Sequence, residues 1–269
     1  MRFNSVFLIA KNEFYRTIGH PVVIIVGIIV LFLAFVYGYG NTATFESDYS
    51  EGMDSFLLCY CQNEYSILLI CSIMAAFLGV LSMARDRWEH SVDVLLVKPL
   101  YRRDVILGKF IGLSGYIYVF VSVALVFSTL MFMLFFREPL SYIDLLCRLL
   151  SYIFILSLEC SLIVALTMLV GTLLKNVIGA VSVVVVYVYA DWFRYIVQYM
   201  GGLSIIMPRM LYHKMADPVS RGYPQELFNT LIPFTTWLNE AMPYILLTLF
   251  EIILLILINC FIFARLDDS

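Results

Sequence analysis

Two carboxylates interrupt otherwise apolar stretches of this sequence. Glu159 and Glu251 each lie near the middle of a long run of apolar residues. A charged side chain at the centre of a bilayer is energetically costly, so such residues normally face other helices or a water-filled cavity. These two residues could line a shared polar site for a substrate, a proton or a cation. Alternatively, each could be a protonated carboxyl group that hydrogen-bonds a neighbouring helix, and the sequence leaves both interpretations open.

A second group of residues carries soft ligand atoms. Cys59 and Cys61 are separated by one residue, and Met207, Met210 and His213 recur at every third position. Thiolate and thioether sulfurs are ligands that suit monovalent copper. Because methionine and cysteine are frequent in any apolar chain, this spacing is not a specific signature. We treat these five residues as candidate metal ligands only.

The motifs of common enzyme classes are missing from the sequence. The nucleotide-binding pattern G-x-x-x-x-G-K-[ST] does not occur, because Gly108-Lys109 is followed by Phe110 and lacks the upstream glycine. The patterns H-E-x-x-H and G-x-S-x-G are also missing. We therefore assign no catalytic residue and expect that the chain is not itself an enzyme.

Two further pairs of residues have spacings that suit local contacts. Asp191 and Arg194 are spaced i, i+3, which predicts an ion pair on one helix face; a role in a translocation path is the alternative. Gly108 and Gly112 form G-x-x-x-G, which permits close contact between helices. We interpret this second pair as ordinary packing.

The amino-acid composition limits the class of protein in which these residues are placed. The chain has 269 residues, of which 62% are hydrophobic and 14% are charged. An average soluble domain has about 45–50% apolar and about 25% charged residues, so an ordinary soluble enzyme is excluded. The net charge of −3 gives no reason to expect nucleic-acid binding. The 6 cysteines are too few for a disulfide scaffold.

Six apolar runs are long enough for bilayer-spanning helices, which need about 20 residues. The sequence therefore predicts an all-α membrane protein, in contact with lipid, with a single transmembrane domain over residues 1–269. The predicted spans cover about residues 21–40, 65–84, 110–136, 149–174, 177–199 and 241–264. Lys175 and Asn176 leave only a tight turn between the fourth and fifth spans.

The distribution of basic residues predicts the orientation of these spans. Basic residues collect in cytoplasmic loops, and most of them face the cytoplasm if the N-terminus does. The first outer loop, residues 41–64, then contains carboxylates but neither lysine nor arginine. We therefore predict a multi-pass protein of the plasma membrane with both termini cytoplasmic.

Three segments outside the spans have patterns of their own. Residues 3–18 predict an amphipathic helix in the inner membrane interface, or only a basic terminus that sets the topology. Residues 85–109 predict a short cytoplasmic helix that ends before a proline; it could dock in a groove of another protein or only enforce the topology. In the outer segment, residues 200–240, prolines predict short interfacial or re-entrant helices. The prolines taken to break this region are Pro208, Pro218, Pro224, Pro233 and Pro243.

The stretch from Arg85 to Phe110 resembles the signature of ABC-2-type transporter permeases. That signature has an acidic-basic pair, a leucine-rich helix, a proline, one or two arginines and a Gly-Lys that enters the next span. The matching positions are Asp86-Arg87, Leu95-Leu96, Pro99, Arg102-Arg103 and Gly108-Lys109. His90-Ser91 replaces the usual Gly-Thr of the family. The resemblance extends to the N-terminal segment Ala10–Arg16 and to the six-span layout with a large final outer loop.

This resemblance implies a permease that forms the translocation path of an ABC transporter, loosely like the permeases beside nitrous-oxide-reductase maturation. It implies an N-terminal elbow helix, a coupling helix within residues 85–109, and export as the direction of transport. It also implies two permease subunits, identical or different, with separate ATP-binding cassette subunits. ATP and magnesium would then bind the partner, and this chain would bind no cofactor.

The resemblance assigns a set of coupling residues that would contact the ATP-binding subunit. They are Asp86, Arg87, Trp88, Glu89, Leu95, Arg102 and Arg103. Two other functions remain open from the sequence. The chain could be a membrane assembly or sensor subunit that only binds partners, or an ATP-independent secondary carrier that uses Glu159 and Glu251.

Overall fold

A computed structural model describes residues 2–40, 53–88, 102–174, 176–192, 201–221 and 225–265. Within these ranges the regular structure is helical, without a strand. The α-helices are α1 (Arg2–Ile18), α2 (Pro21–Gly40), α3 (Ser55–Trp88), α4 (Arg102–Phe135), α5 (Tyr142–Leu173), α6 (Val177–Trp192), α7 (Pro208–Ala216) and α8 (Phe234–Arg265). A short 3-10 helix, Gly201–Ile206, precedes α7. The prediction of an all-α protein is confirmed.

Five helices of the described part are long and apolar enough to cross a bilayer. They are Pro21–Gly40, Ser66–Met83 within α3, Arg103–Phe135, Tyr142–Leu173 and Phe234–Phe263. The helix α6 has 16 residues. At 1.5 Å per residue it spans about 24 Å, less than the roughly 30 Å of a hydrocarbon core. The six predicted spans are therefore confirmed for five helices, and residues 193–199 of the remaining span lie outside the described residues.

Two helices begin earlier than their hydropathy predicts. The helix α3 begins at Ser55 instead of residue 65, and it continues through Gln62 and Glu64 because both are good helix formers despite their polarity. The helix α8 begins at Phe234 instead of residue 241 and contains Pro243. The prediction that Pro243 breaks the outer region is thus wrong. Membrane helices tolerate an internal proline because neighbouring groups can satisfy the freed backbone carbonyl.

The helices α4 and α5 also extend beyond their apolar runs. The helix α4 begins at Arg102, so the last part of the predicted cytoplasmic segment 85–109 is a continuation of this span. The helix α5 begins at Tyr142 because Ser141 caps it: the backbone N–H of Asp144 donates to the Ser141 hydroxyl at 3.4 Å. Both helices are therefore longer than their apolar runs, because the polar residues at their ends are also helical.

The helix α5 forms the centre of the bundle. It packs against α3, α4, α7 and α8, and most of its residues are buried. By contrast, α2 has few buried residues and exposes large aliphatic side chains along its length. Such an apolar exterior suits contact with lipid rather than water. The chain therefore has a mostly buried central helix surrounded by helices that expose more of their apolar side chains.

Glycines bring two pairs of helices into close contact. A Cβ atom on Gly112 of α4 would lie 2.5 Å from the carbonyl oxygen of Ala10 in α1. A Cβ atom on Gly108 would lie 2.7 Å from the Cβ of Ile9. In α3, Gly79 has no room for a side chain, because α5 lies directly against it. The G-x-x-x-G motif thus packs α1 directly against the beginning of α4.

Candidate functional site

A buried polar cluster joins α1, α3 and α4. We call Glu13, Arg16, Ser82 and Lys109 the Glu13 cluster. The Ser82 hydroxyl donates to Glu13 Oε1 at 2.6 Å, and Arg16 Nη2 donates to the same oxygen at 2.8 Å. Lys109 Nζ donates to the Ser82 carbonyl oxygen at 2.8 Å and lies 3.8 Å from Glu13 Oε2. One carboxylate therefore connects three helices that are distant in sequence.

The ion pair of the Glu13 cluster between Glu13 and Lys109 is shielded from solvent, whereas the Arg16 side chain is 30% exposed. Glu13 is 4% exposed and Lys109 is 3% exposed. Buried charges are tolerated only when they are paired and hydrogen-bonded, and removal of one partner leaves an uncompensated charge. The cluster lies near the end of α3 and the beginning of α4, the two helices that border residues 89–101. These two helix ends are consequently held to α1 as one unit.

The structure places five of the seven predicted coupling residues on these two helix ends. Asp86, Arg87 and Trp88 form the last residues of α3, and Arg102 and Arg103 begin α4. The side chain of Arg103 is exposed. The predicted coupling helix itself lies outside the described residues, and so do Glu89 and Leu95. The coupling role of all seven residues stays a prediction.

Glu159 lies in the interior of the bundle. It is 0% exposed on α5, and the Ser72 hydroxyl of α3 donates to its Oε1 at 3.1 Å. The Cys160 thiol lies 3.9 Å from the other carboxyl oxygen. This carboxyl group therefore bridges α3 and α5.

Glu251 has a different environment on α8. It is half-buried, and no hydrogen bond joins it to a described residue. Glu251 nevertheless lies near Tyr187 of α6, and Glu159 lies near the same side chain. Their role in a translocation path stays a prediction.

Asp191 is buried near the end of α6, where Arg209 of α7 approaches it. The Arg209 guanidinium donates to the Trp192 carbonyl oxygen and lies 4.3 Å from the centre of the Trp192 ring. Arg194, the predicted ion-pair partner, lies outside the described residues. No local pattern in the sequence indicates the contact of Arg209 with Trp192, because this contact joins two different helices.

The role of the candidate metal ligands Cys59, Cys61, Met207, Met210 and His213 stays a prediction. No group of three or more His, Cys, Asp or Glu side chains in the described part of the chain could hold a metal ion. Cys61 is buried, whereas Met207, Met210 and His213 are half-buried. The side chain of Cys59 is outside the description.

A second buried cation, Arg148 of α5, holds the outer segment. We call its contacts the Arg148 clamp. Its Nε donates to Asp144 at 2.8 Å, and its two terminal nitrogens donate to the carbonyl oxygens of Leu227 (2.6 Å) and Ile232 (2.9 Å). Arg148 is 1% exposed. The sequence patterns assign no role to Arg148, although its i, i+4 spacing with Asp144 is a local signal.

Asp54 reinforces the same outer region. Its carboxylate accepts hydrogen bonds from the backbone N–H groups of Leu140 and Phe56, both at 3.0 Å. Its own N–H donates to the Thr230 hydroxyl at 3.0 Å. The start of α3, the loop before α5 and the segment before α8 are therefore fastened together.

These features define a multi-pass α-helical membrane protein with two buried charged groups, the Glu13 cluster and the Arg148 clamp. The sequence matches the family described as ABC-2 family transporter protein over residues 7–267. Since this match covers nearly the whole sequence, the chain belongs to the ABC-2 transporter family, and the family predicted from residues 85–110 is confirmed. Such permeases are typically non-enzymatic membrane subunits that work with an ATP-binding partner. A comparison with curated protein sequences gives no match.

Proposed function

We propose that this chain is the permease subunit of an ABC-2-type transporter, coupled through residues 85–103 to a separate ATP-binding subunit. The observation that supports this proposal most is the Glu13 cluster. It joins α1, α3 and α4 at the two helix ends that border residues 89–101. A force applied to that segment would therefore reach three helices together.

The energy for transport comes from the partner in this proposal. ATP can drive a change between two permease states only if the nucleotide-bound partner has different affinities for them. Closure of the partner around ATP and magnesium would shift the docked segment 89–101. The buried ion pair and the close glycine contacts would then carry α1, α3 and α4 as a rigid group. Tilting of these helices would open the path on the outer side.

The remaining parts of the proposal concern the assembly. Two permease subunits, identical or different, share the path, and each is served by an ATP-binding cassette subunit. The chain lies in the plasma membrane with both termini cytoplasmic, and transport is export. Glu159 and Glu251 contribute polar groups along the path. This chain supplies no cofactor site, since ATP and magnesium bind the partner.

Charge reversal tests the coupling assignment. We would purify the tagged full chain from its native membranes and measure the co-purified ATPase activity. Glu89→Lys and Arg102→Glu should each lower the amount of ATPase, or its stimulation by the permease, by roughly tenfold, as expected for a loss of 1.4 kcal/mol or more. The matched control is Arg137→Glu, a charge reversal beyond the opposite end of α4. Unchanged ATPase assembly and coupling in both test variants would refute the docking assignment.

A further inference from the structure

A cavity of about 560 Å³ lies between α1, α2 and α3. Its lining is divided into two chemically different parts. Polar side chains line the end beside the Glu13 cluster: Glu13, Arg16, Thr17, His20 and Ser82. The rest of the wall is apolar and comes mainly from α2 and α3. This division within one cavity matches an amphiphilic ligand better than a purely apolar or a purely polar one.

Among the described residues, cations outnumber carboxylates at the polar end. The Glu13 carboxylate lies beside two cations, Arg16 and Lys109. In addition, the His20 Nδ1 atom is buried without a hydrogen-bond partner, and an imidazole nitrogen can donate to an anion. This combination is complementary to a negatively charged headgroup.

The apolar part has the dimensions of one leaflet of a bilayer. Val22, Val26 and Ile29 follow one another on a single face of α2. On α3 the lining runs from Ile70 to Leu81, a rise of about 16 Å at 1.5 Å per residue. Half of the roughly 30 Å hydrocarbon core is about 15 Å. An acyl chain in this cavity would thus reach from the membrane interface to the middle of the bilayer.

A flexible acyl chain is much narrower than a protein helix, which is about 10–12 Å wide with its side chains. The polar end also lies next to the turn between α1 and α2, at the depth where a headgroup would be found if α1 lies in the membrane interface.

We propose that this cavity binds a phospholipid with an anionic headgroup, with the headgroup at Arg16 and His20 and an acyl chain between α2 and α3. Its placement in the inner leaflet rests on the predicted topology. The binding site itself does not depend on an ATP-binding partner. Bound lipid would fill the space between the first span and α3 and so support the position of α1.

Native mass spectrometry of the purified full chain tests this site. The probes are phosphatidylglycerol and phosphatidylcholine with identical acyl chains. We expect one molecule of phosphatidylglycerol to be retained about tenfold better than phosphatidylcholine, and Arg16→Gln to remove most of this preference. Lys11→Gln, a loss of charge at an exposed position of the same helix, should retain it. Equal retention of the two lipids by the wild-type chain would overturn the proposal.

Because Arg16→Gln also alters the Glu13 cluster, a second pair of variants tests the apolar part of the cavity. Val26→Trp should fill the apolar part of the cavity and lower retention of phosphatidylglycerol about tenfold. Val119→Trp, at an exposed position of α4 outside the cavity, should not. If Val26→Trp binds the lipid as well as Val119→Trp does, the acyl chain is elsewhere and the proposal fails. Efficient disulfide formation between Val26→Cys residues of two chains would show that a second copy covers the cavity, which also contradicts it.

Discussion

The two ends of the helix bundle are each fastened by a buried cation, but the two cations bind different partners. Lys109 binds a carboxylate and a serine that belong to two other long helices. Arg148 binds the backbone carbonyl oxygens of an irregular segment before α8. An ammonium is a compact point charge, whereas a guanidinium is a rigid fork that can bind several acceptors at once. The first arrangement joins helices, and the second holds a loop in place.

This difference suggests a division of mechanical roles. Helices joined by side chains can move together without losing their own backbone hydrogen bonds. A segment held through its carbonyl oxygens loses its shape when the clamp is removed. We therefore expect that damage to the Glu13 cluster affects coupling between elements, whereas damage to the Arg148 clamp affects the folding of the outer segment.

The largest effect should come from Arg148→Met. The variant leaves two carbonyl oxygens and Asp144 without their cation, which should cost about 3–5 kcal/mol, the range for a broken buried charge pair. Amide hydrogen exchange in residues 225–233 should become faster, and the protein should unfold at a lower temperature in detergent.

Glu240→Gln is the control for this variant. Glu240 also lies in the outer region and pairs with Arg221 at 2.6 Å, but the Arg221 side chain is 42% exposed. An exposed pair contributes at most about 1 kcal/mol. Similar destabilisation by the two variants would show that the Arg148 clamp has no special role.

The next effect in size should come from Lys109→Met. We expect a loss of about 2–3 kcal/mol, since Glu13 keeps Arg16 and Ser82 as partners. In a double-mutant cycle with Glu13→Gln, the two substitutions should be non-additive by about 1–2 kcal/mol. Hydrogen exchange in residues 225–233 should stay unchanged. Faster exchange there would mean that the two ends are not independent.

A smaller effect should come from Gly112→Ala. The new methyl group would meet the Ala10 carbonyl oxygen, so α1 must move away from α4 at a cost of about 1–2 kcal/mol. Gly115→Ala is a matched control in the same helix, because nothing lies within 4 Å of its Cβ position. It should be neutral or stabilise the helix by up to about 1 kcal/mol. Thermal unfolding of the two variants side by side would show whether close contact of α1 and α4 matters.

The smallest effect concerns pH and the outer segment alone. Burial raises the pKa of Asp217 above its usual 3.8, and burial raises the pKa of Glu226 above its usual 4.5. Between those usual values and the raised ones, the folded protein binds more protons than the unfolded one, so stability falls as pH rises. Acidification from neutral pH towards about pH 4.5 should therefore slightly raise the hydrogen-exchange protection factors of residues 217–233. A protection factor compares each exchange rate with the intrinsic amide rate at the same pH. The variant Asp217→Asn with Glu226→Gln should lose this pH dependence; if it keeps the dependence, these two carboxyl groups are not its source.

The apolar runs predicted the helices well because burial in lipid requires long apolar segments with internal hydrogen bonds. Hydropathy could not predict where α3 and α8 begin, since polar residues at a helix end do not stop backbone hydrogen bonding. The contacts within the Glu13 cluster could also not be predicted from the sequence. Glu13 and Lys109 belong to different helices, and only the packing of α1 against α4 brings them together.

The candidate site was predictable only in its chemistry. The sequence identifies Glu159 as a carboxyl group within an apolar helix, but its hydrogen bond with Ser72 depends on how α3 packs against α5. The buried contacts of Arg148 are not predictable, because an arginine near a helix end usually snorkels to water. In this protein a folded segment supplies carbonyl oxygens in place of water.

The most direct test of the proposed function is photo-crosslinking in native membranes from two positions. One probe replaces Leu95, in the segment between α3 and α4, and the other replaces Val219, an exposed residue of the outer segment. We predict that the probe at position 95 forms a covalent adduct with a protein that binds ATP, and that the probe at position 219 does not. The account would be contradicted if position 95 gave no ATP-binding adduct, or if position 219 gave the same adduct with equal yield.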